Sequence, residues 1–154
     1  MNTQLKCKKA EIQDLHKIIE LLADDELGRK RERLEDPLPE SYIKAFNAIQ
    51  GDPNNELILA VLAEEIVGVL QITFTPYLTY QGGWRATIEG VRTNKFLRGK
   101  GIGTQMIEWA IHLAKERGAH VVQLTTDKQR PEALEFYKRL AFRASHEGLK
   151  LHLG

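Results

Sequence analysis

The chain holds one cysteine, Cys7, in 154 residues, so no internal disulfide braces it; neither a C-x-x-C redox pair nor a Cys/His cluster with zinc spacing occurs. The histidines, His16, His112, His120, His146 and His152, are scattered without metal-ligand spacing. A metal-free protein of a reducing compartment, the cytoplasm, is therefore expected. No apolar run approaches the roughly 20 residues that span a bilayer, and the opening MNTQLKCKKA lacks the apolar stretch of a signal peptide. These absences imply a soluble protein that is neither exported by the usual route nor held in a membrane. Charge of one sign is missing too, since 22 Lys plus Arg against 21 Asp plus Glu leave a formal +1. With no net field and no basic recognition helix, direct nucleic-acid binding is not expected. The length suits a single domain over residues 1–154 with one core.

Periodicity supplies the elements. Leu5 to Lys9 reads as a short strand, and Ile12, Leu15, Ile18, Ile19 and Leu22 fall on one side of a helix. GRKRERLEDPLPE is a charged, solvated run, after which Pro39 opens a second helix carrying Ile43, Phe46 and Ile49. ELILAVLA is a buried strand; Glu64 and Glu65 form a hairpin turn before a strand from Ile66 to Thr75. In that strand Gln71, Thr73 and Thr75 alternate with Ile72 and Phe74, so one face is wetter. Arg85 to Thr93 is a third strand, followed by a helix with Ile102, Met106, Trp109, Ala110 and Leu113 in phase and Gly118 at its end. VVQLTT, a helix from Pro131 through Leu140, and a closing strand GLKLHL complete the order. A mixed sheet with helices on both faces follows.

The segment TNKFLRGKGIGTQMIEWA is the most informative. Glycines at Gly99, Gly101 and Gly103 stand between a strand and an amphipathic helix. Without a Cβ, their amides approach an anion closely, and the first helical turn offers unpaired N–H groups at its positive end. Lys95, Arg98 and Lys100 add local cations. Such a turn can cradle a diphosphate. It matches neither the P-loop, GxxxxGK with Ser or Thr, nor the GxGxxG dinucleotide fingerprint, because its glycine spacing is one residue too short. By itself a glycine triplet is equally a plain loop with capping glycines.

The context makes it specific. ATIEGVRTNKFLRGKGIGTQMIEWA resembles the acetyl-CoA motif of the GNAT N-acetyltransferases, an Arg or Gln, two residues, Gly, one residue, then Gly or Ala, read here as Arg98, Gly101 and Gly103. RPEALEFYKRLAF is similar as well, and the β/α order agrees over nearly the whole chain. The resemblance implies an α/β (α+β) fold: a mixed, mostly antiparallel sheet flanked by helices on both faces, with a splayed central strand pair. It implies acetyl-CoA as co-substrate and an amine of a small molecule or peptide as acceptor. The backbone of Val91, Arg92 and Thr93 would pair with the pantetheine arm, and Arg98, Gly99, Lys100, Gly101, Ile102, Gly103 and Thr104 would hold the pyrophosphate.

Acetyl transfer to an amine needs a route for the amine proton, a donor for the oxyanion and a proton for the thiolate. Glu89 lies among Ala86, Ile88, Gly90 and Val91, a small and apolar setting that favours a desolvated base; the other reading is a strand-end carboxylate in solvent or paired with Arg92. Gly90 marks a bulge, which would turn the Val91 N–H toward the thioester carbonyl. Tyr137 resembles the family tyrosine that protonates the departing sulfur, and is otherwise core with Leu134 and Ala141. Two positions depart from the family pattern: Arg130 replaces an Asn, and Ala141 a Gly, which alters the helix ending or places alanine in the left-handed region. Cys7 has no identifiable base beside it, so direct transfer in a ternary complex is expected. The alternative is an acetyl-CoA-binding regulator without catalysis. Tyr77, Tyr80 and Trp84 line either an acceptor pocket or a subunit interface, and such folds commonly form homodimers.

Overall fold

The computed structural model describes residues 4–154 and sets five strands side by side in chain order. They are β1 (Lys6–Lys9), β2 (Asn55–Leu62), β3 (Glu65–Pro76), β4 (Trp84–Thr93) and β5 (Ala119–Leu124). The helices are α1 (Leu15–Leu22), α2 (Glu26–Arg31), α3 (Glu40–Gln50), the single turn α4 (Thr79–Gly82), α5 (Ile102–Glu116) and α6 (Pro131–Arg139). β1 to β4 pair antiparallel. β5 is reached through the long crossover α5, the kind of connection that parallel neighbours require. Residues Met1–Gln123 and Leu124–Gly154 form two compact units.

In the first unit the apolar run of β2 is buried on both faces because the sheet is covered on both. Leu59, opposite Val69 in the register, packs with Leu15, Ile18, Ile19 and Leu21 of α1 and Phe46 of α3. Its neighbour Ile58, opposite Leu70, faces the other way, where Ile72, Phe74, Ala86 and Ile88 are buried with Met106, Ile107 and Ala110 of α5. Each of the larger side chains among these contributes about 1.5–3 kcal/mol on leaving water. The helix comes so close that a Cβ on Gly68 of β3 would stand 2.5 Å from Met106 Sδ. One buried carboxylate fastens the far end of α5: Glu56 pairs with Lys9 at 2.6 Å and Arg117 at 3.6 Å. Arg117 also donates to Pro53 O at 2.9 Å and lies 3.9 Å over the Phe74 ring. Among the described residues no helix is long and apolar enough to cross a membrane.

Several expectations shift. Part of the charged run is helical: Asp25 Oδ1 accepts from Gly28 N at 2.6 Å and caps α2, whose Arg29, Lys30 and Arg31 are exposed. The turn between β2 and β3 uses Ala63 and Glu64, both at positive φ, and Glu65 already belongs to β3. Ile12 is half exposed because residues 12–14 form a 3-10 turn ahead of α1. The GLKLHL segment is not a strand: it has no ladder partner among the described residues, and Leu149, Leu151 and Leu153 are each more than four-fifths exposed.

In the second unit α6 ends as a Schellman motif. Ala141 N donates to Lys138 O at 3.0 Å and Phe142 N to Tyr137 O at 3.1 Å. The Phe142 ring packs edge-on against Tyr137 at 5.7 Å, the apolar contact that accompanies this ending. The motif needs a left-handed residue, and Ala141 takes that role at φ 72°. Left-handed alanine costs roughly 1–2 kcal/mol, while glycine gives back part of that as unfolded-state entropy. Ala141→Gly is therefore expected to stabilise the protein by about 0.5–1 kcal/mol, seen as a higher urea midpoint. An unchanged or lower midpoint would contradict this.

Candidate functional site

Alternation along β4 sorts its side chains. Ala86 and Ile88 are buried toward α5, whereas Arg85, Thr87 and Glu89 point to the opposite face. There they stand beside Thr75, Thr73 and Gln71 of β3, their partners in the register. Gln123 of β5 donates to Thr87 Oγ1 at 3.1 Å, and Gln71 to Asn55 Oδ1 at 2.9 Å. The result is a polar strip on one face of the sheet. Glu89 is exposed on it, so this chain does not supply the desolvated setting that its sequence neighbours suggest.

The alternation breaks at Gly90. Gln71 pairs with Glu89 and Val69 with Arg92, so Gly90 and Val91 together oppose Leu70 alone. This is a β-bulge, with Gly90 in the left-handed region at φ 62°. The bulge re-aims the end of the strand, Val91, Arg92 and Thr93, and Arg92 Nη1 donates back to Val91 O at 2.8 Å.

A short 3-10 turn, residues 95–97, leads from β4 to Arg98, Gly99, Lys100 and Gly101. Gly99 and Gly101 are both left-handed, at φ 81° and 78°. Gly101 is the N-cap of α5 and offers no side chain to the first amides, so those of Ile102, Gly103 and Thr104 are left to an outside acceptor. Fifteen residues of helix stand behind them, and their dipole favours negative charge at this end. Arg98 and Lys100 are exposed beside the turn. Lys95 is exposed too, but its Nζ is engaged: it pairs with Asp24 at 3.2 Å and lies over the Phe96 ring.

Tyr137 belongs to the second unit and is buried at 9% exposure between the rings of Phe136 and Phe142, both edge-on. Cys7 is half-buried in β1, and burial pushes its thiol above the ordinary value, which disfavours a nucleophilic thiolate.

The aromatic loop differs from expectation in its members. Trp84 and Tyr80 are exposed, but Arg85 lies 4.2 Å over the Tyr77 ring and 5.7 Å from that of Tyr80, which in turn meets His120 at 5.1 Å. Sequence reasoning missed Arg85 and His120. The only signal for Arg85 was a cation placed directly after Trp84; His120 comes in through pairing of β5 with β4, which no local pattern reveals.

Comparison with known proteins follows the same lines. The model of the acetyltransferase (GNAT) family matches residues 15–142. Over 107 residues the chain is 30% identical to the aminoalkylphosphonate N-acetyltransferase of Salmonella typhimurium, covering 70% of this chain and 69% of that one. A Bacillus halodurans C-125 protein, whose crystal structure is described as a transcriptional regulator, is 63% identical with a TM-score of 0.95, over 97% of this chain and 100% of its own. A Clostridium acetobutylicum protein, described as a predicted acetyltransferase with acetyl-CoA, shares the fold at TM-score 0.73 and 24% identity, over 97% and 96% of the two chains.

The bulge carries a direct prediction. Gly90→Ala keeps the composition nearly constant but forces a Cβ into the left-handed region, so it is expected to cost about 1–2 kcal/mol. Urea unfolding reads this as a lower midpoint at unchanged slope; an unshifted midpoint would mean that Gly90 is not held at positive φ.

Proposed function

The chain belongs to the GNAT family of acetyltransferases, and from that premise we propose that it moves the acetyl group of acetyl-CoA to a primary amine by direct attack within a ternary complex. The observation that carries this reading is the run of left-handed glycines, Gly90, Gly99 and Gly101, on either side of one turn. The first frees strand backbone at Val91 to Thr93 to pair with a pantetheine amide. The other two open residues 98–104 to a pyrophosphate, with Arg98 and Lys100 as flanking cations. A cradle of this kind fits a ligand that has both an amide-bearing arm and linked phosphates, which acetyl-CoA does.

In the proposed reaction the neutral amine attacks the thioester carbonyl, and the Val91 N–H donates to the oxygen as it gains charge. Glu89, on the polar strip next to the bulge, takes the amine proton directly or through water. Collapse expels the thiolate, which receives its proton from the Tyr137 hydroxyl. That role rests on the family resemblance; within its own unit the Tyr137 ring packs edge-on against Phe136 and Phe142. The raised Cys7 thiol agrees with transfer that needs no acetyl-enzyme. A small-molecule amine is supported by the Salmonella relative, whose acceptor is an aminoalkylphosphonate.

The Bacillus halodurans likeness supports a second reading, an acetyl-CoA-binding regulator that does not turn over. The two part on one assay: thiol release from acetyl-CoA with a panel of primary amines, alongside binding of acetyl-CoA. For the enzyme, Glu89→Gln and Tyr137→Phe should each lower kcat by roughly 10²–10⁴ while binding acetyl-CoA nearly as well. Variants within threefold of the parent would remove those two residues from the chemistry. Tight acetyl-CoA binding with no amine turned over would favour the regulator.

A further inference from the structure

Among the described residues, Arg85 is a cation without a counter-charge. Its Nη2 donates to the Thr79 hydroxyl at 3.3 Å, a neutral partner, and its Nε is buried with no hydrogen-bond partner. No carboxylate of the described residues forms an ion pair with it. Arg117 makes the contrast plain, since it too lies over an aromatic ring, that of Phe74, yet it reaches Glu56 at 3.6 Å. A guanidinium held over the Tyr77 ring, with Tyr80 and His120 beside it and one N–H donor engaged by Thr79, is set to receive a planar or tetrahedral oxyanion.

Its place on the sheet says how far that oxyanion lies from the amine. Arg85, Thr87 and Glu89 share one face of β4, over the polar partners Thr75, Thr73 and Gln71. Four residues of strand separate the Cα atoms of Arg85 and Glu89 by about 13 Å. The guanidinium leans further from Glu89, because Tyr77 lies beyond the terminal pair of Pro76 and Trp84. With about 3 Å taken up by the hydrogen-bonded contact at each end, a ligand lying along the strip with its amine at Glu89 would bring to Arg85 a group roughly 10 Å from that amine.

We infer that Arg85 is a specificity residue for the acceptor, binding a carboxylate or a phosphate-type oxyanion carried about 10 Å from the amine to be acetylated. The inference rests on the reading of the Glu89 end as the place of transfer. It separates this acceptor from short-chain amino acids, which cannot span the strip, and from plain alkylamines, which bring the guanidinium no counter-charge.

The test is a matched series of acceptors assayed with acetyl-CoA: 8-aminooctanoate, the aminoalkylphosphonate of equal chain length, n-octylamine and 3-aminopropanoate. The parent protein should prefer at least one long acid over octylamine and over 3-aminopropanoate by roughly ten- to a hundredfold in kcat/KM. The two long acids distinguish a carboxylate from a phosphate-type acceptor. In Arg85→Gln the ratio of long acid to octylamine should fall to near one, and Arg85→Lys should keep an intermediate ratio. A ratio near one in the parent, or a ratio that survives in Arg85→Gln, overturns the inference. Titrating the long acids against intrinsic tryptophan fluorescence separates this from failure of the transfer reading, because Trp84 adjoins Arg85 and is 38% exposed. If no amine is acetylated, a saturable change in the parent that is lost in Arg85→Gln still upholds the anion site. No saturable change in the parent then defeats it.

Discussion

Left-handed backbone at Gly90, Gly99 and Gly101 is the constraint on which the candidate site depends. A residue with a Cβ pays roughly 1–2 kcal/mol at each such position, so three glycines make a backbone shape that other sequences hold only under strain. Gly90 lets β4 carry one residue more than its partner needs, and the strand end turns. Gly99 and Gly101 let the chain reverse into α5 without covering its first amides. The proposed recognition surface is therefore main chain, and the side chains around it would set charge and chemistry rather than shape.

That backbone is useful only because what lies beneath it is firm. α5 serves twice: its apolar side, Met106, Ile107, Ala110 and Ala114, closes one half of the core, and its free end faces the glycine turn. The opposite end is fastened by Arg117 to Glu56, Pro53 and Phe74. A helix fixed at its C-terminal end and along its length holds its N-terminal amides in register. The same division runs through β4, with Ala86 and Ile88 anchoring the strand while Arg85, Thr87 and Glu89 line the opposite face.

Much of this was legible before folding. The alternation of Ile72 and Phe74 with Gln71 and Thr73, and the helical phase of Met106 and Ala110, are local patterns that tertiary structure kept. Gly90 announced its bulge because glycine inside a β-branched strand has few other reasons to be there. α2 was hidden because ELGRKR has no apolar stripe, and its capping by Asp25 outweighs the poor pattern. GLKLHL misled in the other direction: strict alternation describes a strand only where a ladder partner exists, and here none pairs with it. For Glu89 the sequence leaves a desolvated base and a solvent-facing carboxylate both open; its immediate small neighbours Ile88 and Gly90 do not bury it, and the carboxylate is exposed. Ala141 posed a choice between two endings, and the Tyr137–Phe142 contact shows why the left-handed one wins.

The central claim is that the amides from Arg98 to Thr104 face the linked phosphates of a nucleotide. Amide resonances of that segment, followed in a ¹⁵N-labelled sample as CoA is added, test it without reference to turnover. The account predicts large, saturable shifts centred on Gly99, Gly101 and Gly103, with smaller ones at Val91 to Thr93. Resonances that stay in place at millimolar CoA would contradict it.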